Sequence, residues 1–181
     1  MIRKIVIIHG WKDNPNKGWL GWLADKLRSE GYEVINPQMP RDTIPDIDDW
    51  VEIVNDLVGE LDRYTILIGH SLGTFVLLRY LERYKGLDKA LALVLIAGFL
   101  NPKIDSANKY FLPTPDLQKI KSHLDNIIHI YSDDDMMVAK ERSIELADKL
   151  GGKKIQLEGK GHFTAREMSK FPELLDIINK I

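Results

Sequence analysis

The chain of 181 residues contains no cysteine. That excludes disulfides, thiolate nucleophiles and cysteine-ligated zinc or iron–sulfur centres, and it fits a reducing compartment. An excess of one charge is also missing. Lys and Arg number 25 against 27 Asp and Glu, a formal charge of −2, and no basic stripe occurs. Nucleic acid is therefore not expected as a partner. No apolar run is long enough to span a bilayer. Residues 5–8, apolar after Arg3 and Lys4, are too few for a signal-peptide core, and no small-residue cleavage site follows. A cytoplasmic protein without membrane contact is expected. Neither Gly-x-Gly-x-x-Gly nor a P-loop follows any strand-like run, and no His-Glu-x-x-His pair occurs, so no cofactor and no metal is expected.

What is present reads as one domain over residues 1–181. Hydrophobic residues make up 44% and charged residues 29%, enough for a substantial core in a water-soluble chain. Apolar runs at 4–9, 33–36, 65–69, 90–97, 127–131 and 154–157 are continuous rather than alternating. That pattern marks strands of a parallel sheet buried on both faces. Between them, helical periodicity occupies 19–29, 46–61, 72–84, 139–150 and 165–180. Gly31 and Gly151-Gly152 follow two of these helices, and Pro45 precedes another. The alternation predicts a doubly wound α/β fold. Residues 100–118, with Pro102, Pro113 and Pro115, are irregular and read either as a short lid or as a plain surface loop.

The most informative stretch is Ile66-Leu67-Ile68-Gly69-His70-Ser71-Leu72-Gly73. A buried strand, a serine between two glycines and then a helix is the context of a nucleophile elbow. The serine sits on a sharp, strained turn with its hydroxyl clear of the sheet. Side chains at 69 and 73 would collide with neighbouring elements. Leu72 offers its backbone N–H at a helix N-terminus, where developing negative charge is favoured.

A serine needs a base, and the base needs an orienting acid. The elbow fold expects the chain order Ser, acid, His. His129 falls inside a strand and His123 just before it. His162 follows the last strand, after Gly159 and Gly161, and is assigned as the base. Asp133, Asp134 and Asp135 follow strand 127–131. Three adjacent carboxylates repel, so two read as a solvated loop and helix cap and the third as the acceptor for His162. The residues alone leave that choice open. A second oxyanion donor is expected from the loop after the first strand, at the Trp11 N–H beside that of Leu72. His9 either braces that loop or lines the pocket, whose other walls are expected at Tyr110, Phe111 and Met136. Trp11, Trp19 and Trp22 read as pocket or core.

These residues together resemble the α/β-hydrolase superfamily. More narrowly, they are similar to the small cap-less serine hydrolases named after retinoblastoma-binding protein 9. The likeness runs through His9-Gly10-Trp11, Trp19-Leu20-Gly21-Trp22-Leu23, Gly31-Tyr32-Glu33-Val34 before Pro37 and Pro40, and Trp50. It continues through Gly69 to Gly73, Ser132 to Asp135, and Gly161-His162-Phe163. The resemblance implies a three-layer sandwich of about six mostly parallel strands with helices on both faces and no large cap. It implies serine-hydrolase activity on small esters through Ser71, His162 and an acid. Its register selects Asp135, with Asp134 as the alternative. In the family the acid usually precedes a proline; here Met136-Met137-Val138 follows. Some members carry Leu-x-Cys-x-Glu for partner binding, which a chain without cysteine does not have.

Two other readings stand beside ester hydrolysis. One is a non-catalytic binding module on the same scaffold. The other is metal-dependent hydrolysis by His9, His70 and the three aspartates, which lack a recognised ligand spacing.

Overall fold

The continuous apolar runs are strands whose successive residues feed two different cores. The structure is a computed structural model that describes residues 3–40, 45–101 and 113–181. Its elements are β1 (Lys4–Ile8), α1 (Gly18–Ser29), β2 (Glu33–Ile35), α2 (Ile47–Val58), β3 (Thr65–His70) and α3 (Leu72–Arg83). They continue with β4 (Ala90–Ile96), α4 (Leu117–Ser122), β5 (Leu124–Ser132), α5 (Lys140–Leu150), β6 (Lys153–Leu157) and α6 (Pro172–Lys180). The sheet order is β2-β1-β3-β4-β5-β6, and every pair is parallel.

Side chains alternate across a strand, so each inner strand serves both faces. Val6, Ile8, Leu67, Leu93 and Leu95 pack on one face with Trp50, Val54, Phe75 and Leu146. Ile5, Ile7, Ile66, Ile68, Val94 and Ile96 pack on the other with Trp19, Leu23, Phe171 and Leu174. Each fully buried aliphatic side chain contributes about 1.5–3 kcal/mol. A polar residue in β1, β3 or β4 would face a core whichever way it pointed, which is why these runs show no alternation.

Two elements depart most from the pattern in the sequence, while α2 ends three residues early and β5 starts three residues early. Periodicity places no helix between the fourth and fifth strands, yet α4 forms there. The Asp116 carboxylate caps it by accepting from the Gln118 and Lys119 N–H groups at 3.1 and 3.0 Å. Six residues are too few to display a helical period. Periodicity also predicts the last helix over 165–180, whereas α6 begins only at Pro172. Proline fits the first helical turn because it lacks an N–H to satisfy there. The segment ahead of it is tied to α1 instead: Trp19 donates Nε1–H to the Phe163 carbonyl at 2.6 Å and its backbone N–H to that of Met168 at 3.1 Å. Trp19 is thus a core residue.

Candidate active site

β1 has β2 on one side and β3 on the other, and the crevice beyond their carboxyl ends is where open α/β sheets bind ligands. Ser71 stands there, between β3 and α3, with φ 51° and ψ −118°. Such backbone costs about 1–3 kcal/mol and persists only where surroundings enforce it. Ser71 N–H donates to the Ile96 carbonyl at 2.9 Å, and the Ser71 carbonyl accepts from Thr74 Oγ1 at 2.6 Å. The turn is tight enough that a Cβ on Gly69 would lie 2.8 Å from the Thr74 backbone. A Cβ on Gly10 would come within 3.1 Å of the Ser71 Cβ, so the loop after β1 lies against the serine.

His162 Nε2 is 2.9 Å from Ser71 Oγ, and His162 Nδ1 is 2.8 Å from Asp135 Oδ2. His162 and Asp135 are both buried. The other oxygen of Asp135 accepts from the Met137 and Val138 N–H groups, each at 2.8 Å. A carboxylate held on both oxygens has no freedom to swing away from the imidazole. The turn therefore needs no proline after Asp135; two backbone amides fix it.

The neighbouring aspartates are not idle, and neither caps α5. Asp133 accepts from the Gly159 N–H at 2.9 Å, and Asp134 from the Gly161 N–H at 2.8 Å. Ser132 Oγ donates to Asp134 at 2.6 Å and accepts from the Lys160 N–H at 3.0 Å. Residues 132–134 thus grip the loop before His162 amide by amide. The Ser132 hydroxyl and the Gly161 N–H hold the Asp134 carboxyl below its ordinary range. Repulsion among three adjacent carboxylates is relieved because each faces different donors.

Two further carboxylates and a histidine support the same loop, and no spacing in the sequence marks these contacts. Glu167 accepts from the His162 N–H at 3.3 Å and the Thr164 N–H at 2.7 Å. Buried His70 donates Nε2–H to the His162 carbonyl at 2.8 Å, and its Nδ1 lies 3.6 Å from Asp13 Oδ2. Burial works to raise the pKa of Asp13. The His70 ring and the Asn14 N–H outweigh it and leave the carboxyl below its usual range. His9 Nδ1 lies 2.7 Å from the Gly10 carbonyl, while its Nε2 accepts from the Met39 N–H at 3.0 Å. His9 is therefore a brace under the loop rather than a wall of the cavity. Among the described residues no group of three His, Asp or Glu side chains is arranged to hold a metal ion.

Glu167 yields a pH prediction. Burial raises its pKa, but hydrogen bonds from Thr164 and the His162 N–H lower it further, so the folded value lies below the ordinary 4.5. A depressed carboxylate stabilises the fold fully above its unfolded pKa, and the contribution disappears as pH falls through the folded value. Glu167→Gln is expected to lower Tm by about 2–4 °C at neutral pH. Thermal unfolding followed across pH should show that gap closing below about pH 4.5. A gap that stays constant down to about pH 3 contradicts the assignment.

A cavity of about 1270 Å³ opens over Ser71. Trp11, Leu72, Phe99, Val138 and His162 line it, and Leu72 is the first residue of α3. One pocket assignment changes here, and Trp22 takes the core reading. Met137, not Met136, reaches the cavity; Met136 is 94% exposed because the turn closed by the Asp135 carboxylate points it outward. Trp22 packs partly buried against the core beneath α1 and does not line the cavity. Tyr110, Phe111 and most of the irregular 100–118 stretch lie outside the described residues.

A parallel six-stranded sheet with a positive-φ serine at the strand-to-helix turn defines the α/β-hydrolase fold. The chain belongs to the serine hydrolase family, whose model matches residues 5–179. YdeN of Bacillus subtilis, a putative hydrolase by its description, is 26% identical over 98% of this chain and 95% of its own length. The serine hydrolase RBBP9 of Rattus norvegicus is 28% identical over 98% of this chain and 95% of its own. The crystal structure of YdeN superposes with a TM-score of 0.91 over 98% of this chain and 97% of that one. A structure from a study of Nitrososphaera gargenis carboxylesterases shares the fold at 15% identity, with a TM-score of 0.71 over 99% and 89% of the two chains. Among the described residues no helix is long and apolar enough to cross a membrane.

Proposed function

We propose that the protein hydrolyses small carboxylic esters through an acyl-enzyme on Ser71. The observation that carries this reading is the unbroken chain of contacts from Ser71 Oγ through His162 to Asp135, at 2.9 and 2.8 Å. His162 Nε2 takes the hydroxyl proton as Oγ attacks the ester carbonyl carbon. Asp135 keeps the second ring proton on Nδ1 and stabilises the imidazolium. The backbone N–H groups of Trp11 and Leu72 receive the developing oxyanion. The tetrahedral adduct collapses, the C–O bond to the alcohol breaks, and Nε2–H gives its proton to the leaving oxygen. Water then repeats the sequence on the acyl-enzyme: it gives its proton to His162 and releases the carboxylic acid, and Ser71 regains its hydrogen. Membership of the serine hydrolase family supports this reading, as does the strained backbone that holds Oγ out of the helix.

A fluorophosphonate probe tests it. Wild type is expected to be labelled stoichiometrically and Ser71→Ala not at all. Equal labelling of the two proteins would remove Ser71 from the role of nucleophile.

A further inference from the structure

The cavity over Ser71 carries charge opposite to that of the molecule. The chain is formally −2, yet Lys12, Lys17, Arg142 and Arg166 line this cavity against one carboxylate, Asp13. Asp13 already faces His70. Among the described residues none of the four cations forms an ion pair, although other lysines and arginines do. Cations gathered at the mouth of a low-dielectric cleft focus their field into it.

Arg142 is the most informative of the four. It is half-buried on α5, and its guanidinium lies 4.9 Å from the Phe99 ring and donates to the Asn101 carbonyl. Those contacts orient the group without neutralising it. Burial accordingly pulls its pKa below the ordinary arginine value, with Glu145 opposing. Glu145 is itself paired with Lys149 at 2.7 Å. A planar cation that is partly desolvated, held in place and part of the cavity lining is suited to a carboxylate in the cavity.

We infer that the preferred substrates are small esters bearing a carboxylate remote from the scissile carbonyl, received by Arg142 while Lys12, Lys17 and Arg166 supply the surrounding positive field. The inference rests on Ser71 being the nucleophile. It narrows the substrate class; the chemistry at the ester is unchanged.

The test compares the 4-nitrophenyl monoester of adipic acid with 4-nitrophenyl hexanoate, which has the same acyl length and no charge. For wild type, kcat/KM is expected to favour the anionic ester by about tenfold or more. That ratio should fall as salt rises from about 20 mM to about 500 mM. Arg142→Gln should bring it close to one, Arg142→Lys should keep most of it, and Lys89→Gln, on the remote surface, should leave it unchanged. Hydrolysis of the hexanoate with no preference for the adipate overturns the inference while leaving the esterase reading intact. So does a preference that survives Arg142→Gln. If the Arg142 variants do not fold, a wild-type ratio that ignores salt overturns it as well. Absence of turnover on both esters, together with absence of fluorophosphonate labelling at Ser71, overturns the esterase reading and this inference with it.

Discussion

Asp135→Asn is expected to lower kcat on a 4-nitrophenyl ester by roughly 10⁴-fold, with little change in KM or Tm. One proton decides the effect. Asparagine keeps the oxygen that accepts from Met137 and Val138, so the turn stays formed. Its amide then donates to His162 Nδ1 where the carboxylate accepted. The neutral ring responds by carrying its proton on Nε2, facing Ser71 Oγ. That tautomer has no lone pair to receive the hydroxyl proton. Asp134→Asn provides the contrast, because asparagine still accepts from Ser132 and Gly161. It is expected to cost less than about tenfold. Steady-state kinetics of the two variants distinguishes them, and a greater loss at 134 than at 135 would reverse the assignment of the acid.

The largest effect on stability is expected at Gly73. A Cβ there would lie 2.1 Å from the Ile8 carbonyl oxygen and 2.8 Å from that of His9. Neither backbone group can retreat, because Ile8 pairs with Gly69 in the centre of the sheet. Gly73→Ala must therefore push α3 off β1 and carry Ser71 with it. A loss of at least about 3 kcal/mol is expected, which is roughly 6–12 °C in Tm. Gly159 is the control. It has φ +64°, and an added Cβ would meet nothing within 4 Å, so Gly159→Ala incurs only backbone strain of about 1 kcal/mol. Equal melting temperatures for the two variants would show that close approach does not hold the elbow.

The parts of this fold legible in the sequence are those where one physical cause acts on consecutive residues. Residues 5–8 and 66–68 are apolar throughout because the strands face a core on each side. Gly69 and Gly73 bracket Ser71 because backbone passes within van der Waals distance of both. The choice of Asp135 among the three aspartates rests, in the sequence, on likeness to known proteins alone. The run of three aspartates hides its division of labour, since that depends on which amide of the loop before His162 meets which carboxylate. The supporting contacts of His70, Asp13 and Glu167 leave no sequence signal for a related reason. His70 and Glu167 meet backbone atoms 92 and 5 residues away, Asp13 meets His70 at the end of β3, and backbone partners place no demand on residue type. Periodicity overstates α6 because it continues through 165–171 while Trp19 ties that segment down. Arg142 is silent in the sequence for the opposite reason. Its significance lies in facing the cavity without an ion pair among the described residues, and only packing exposes that.

Ser71, His162 and Asp135 are expected to act as one unit. The most direct measurement is kcat for Ser71→Ala, for Asp135→Asn and for the two combined, on one neutral ester. The double variant is expected to be no slower than Ser71→Ala alone, because without the hydroxyl there is no proton for the imidazole to take. Losses that multiply in the double variant would mean that Asp135 contributes independently of Ser71, and the three side chains would not form a single catalytic relay.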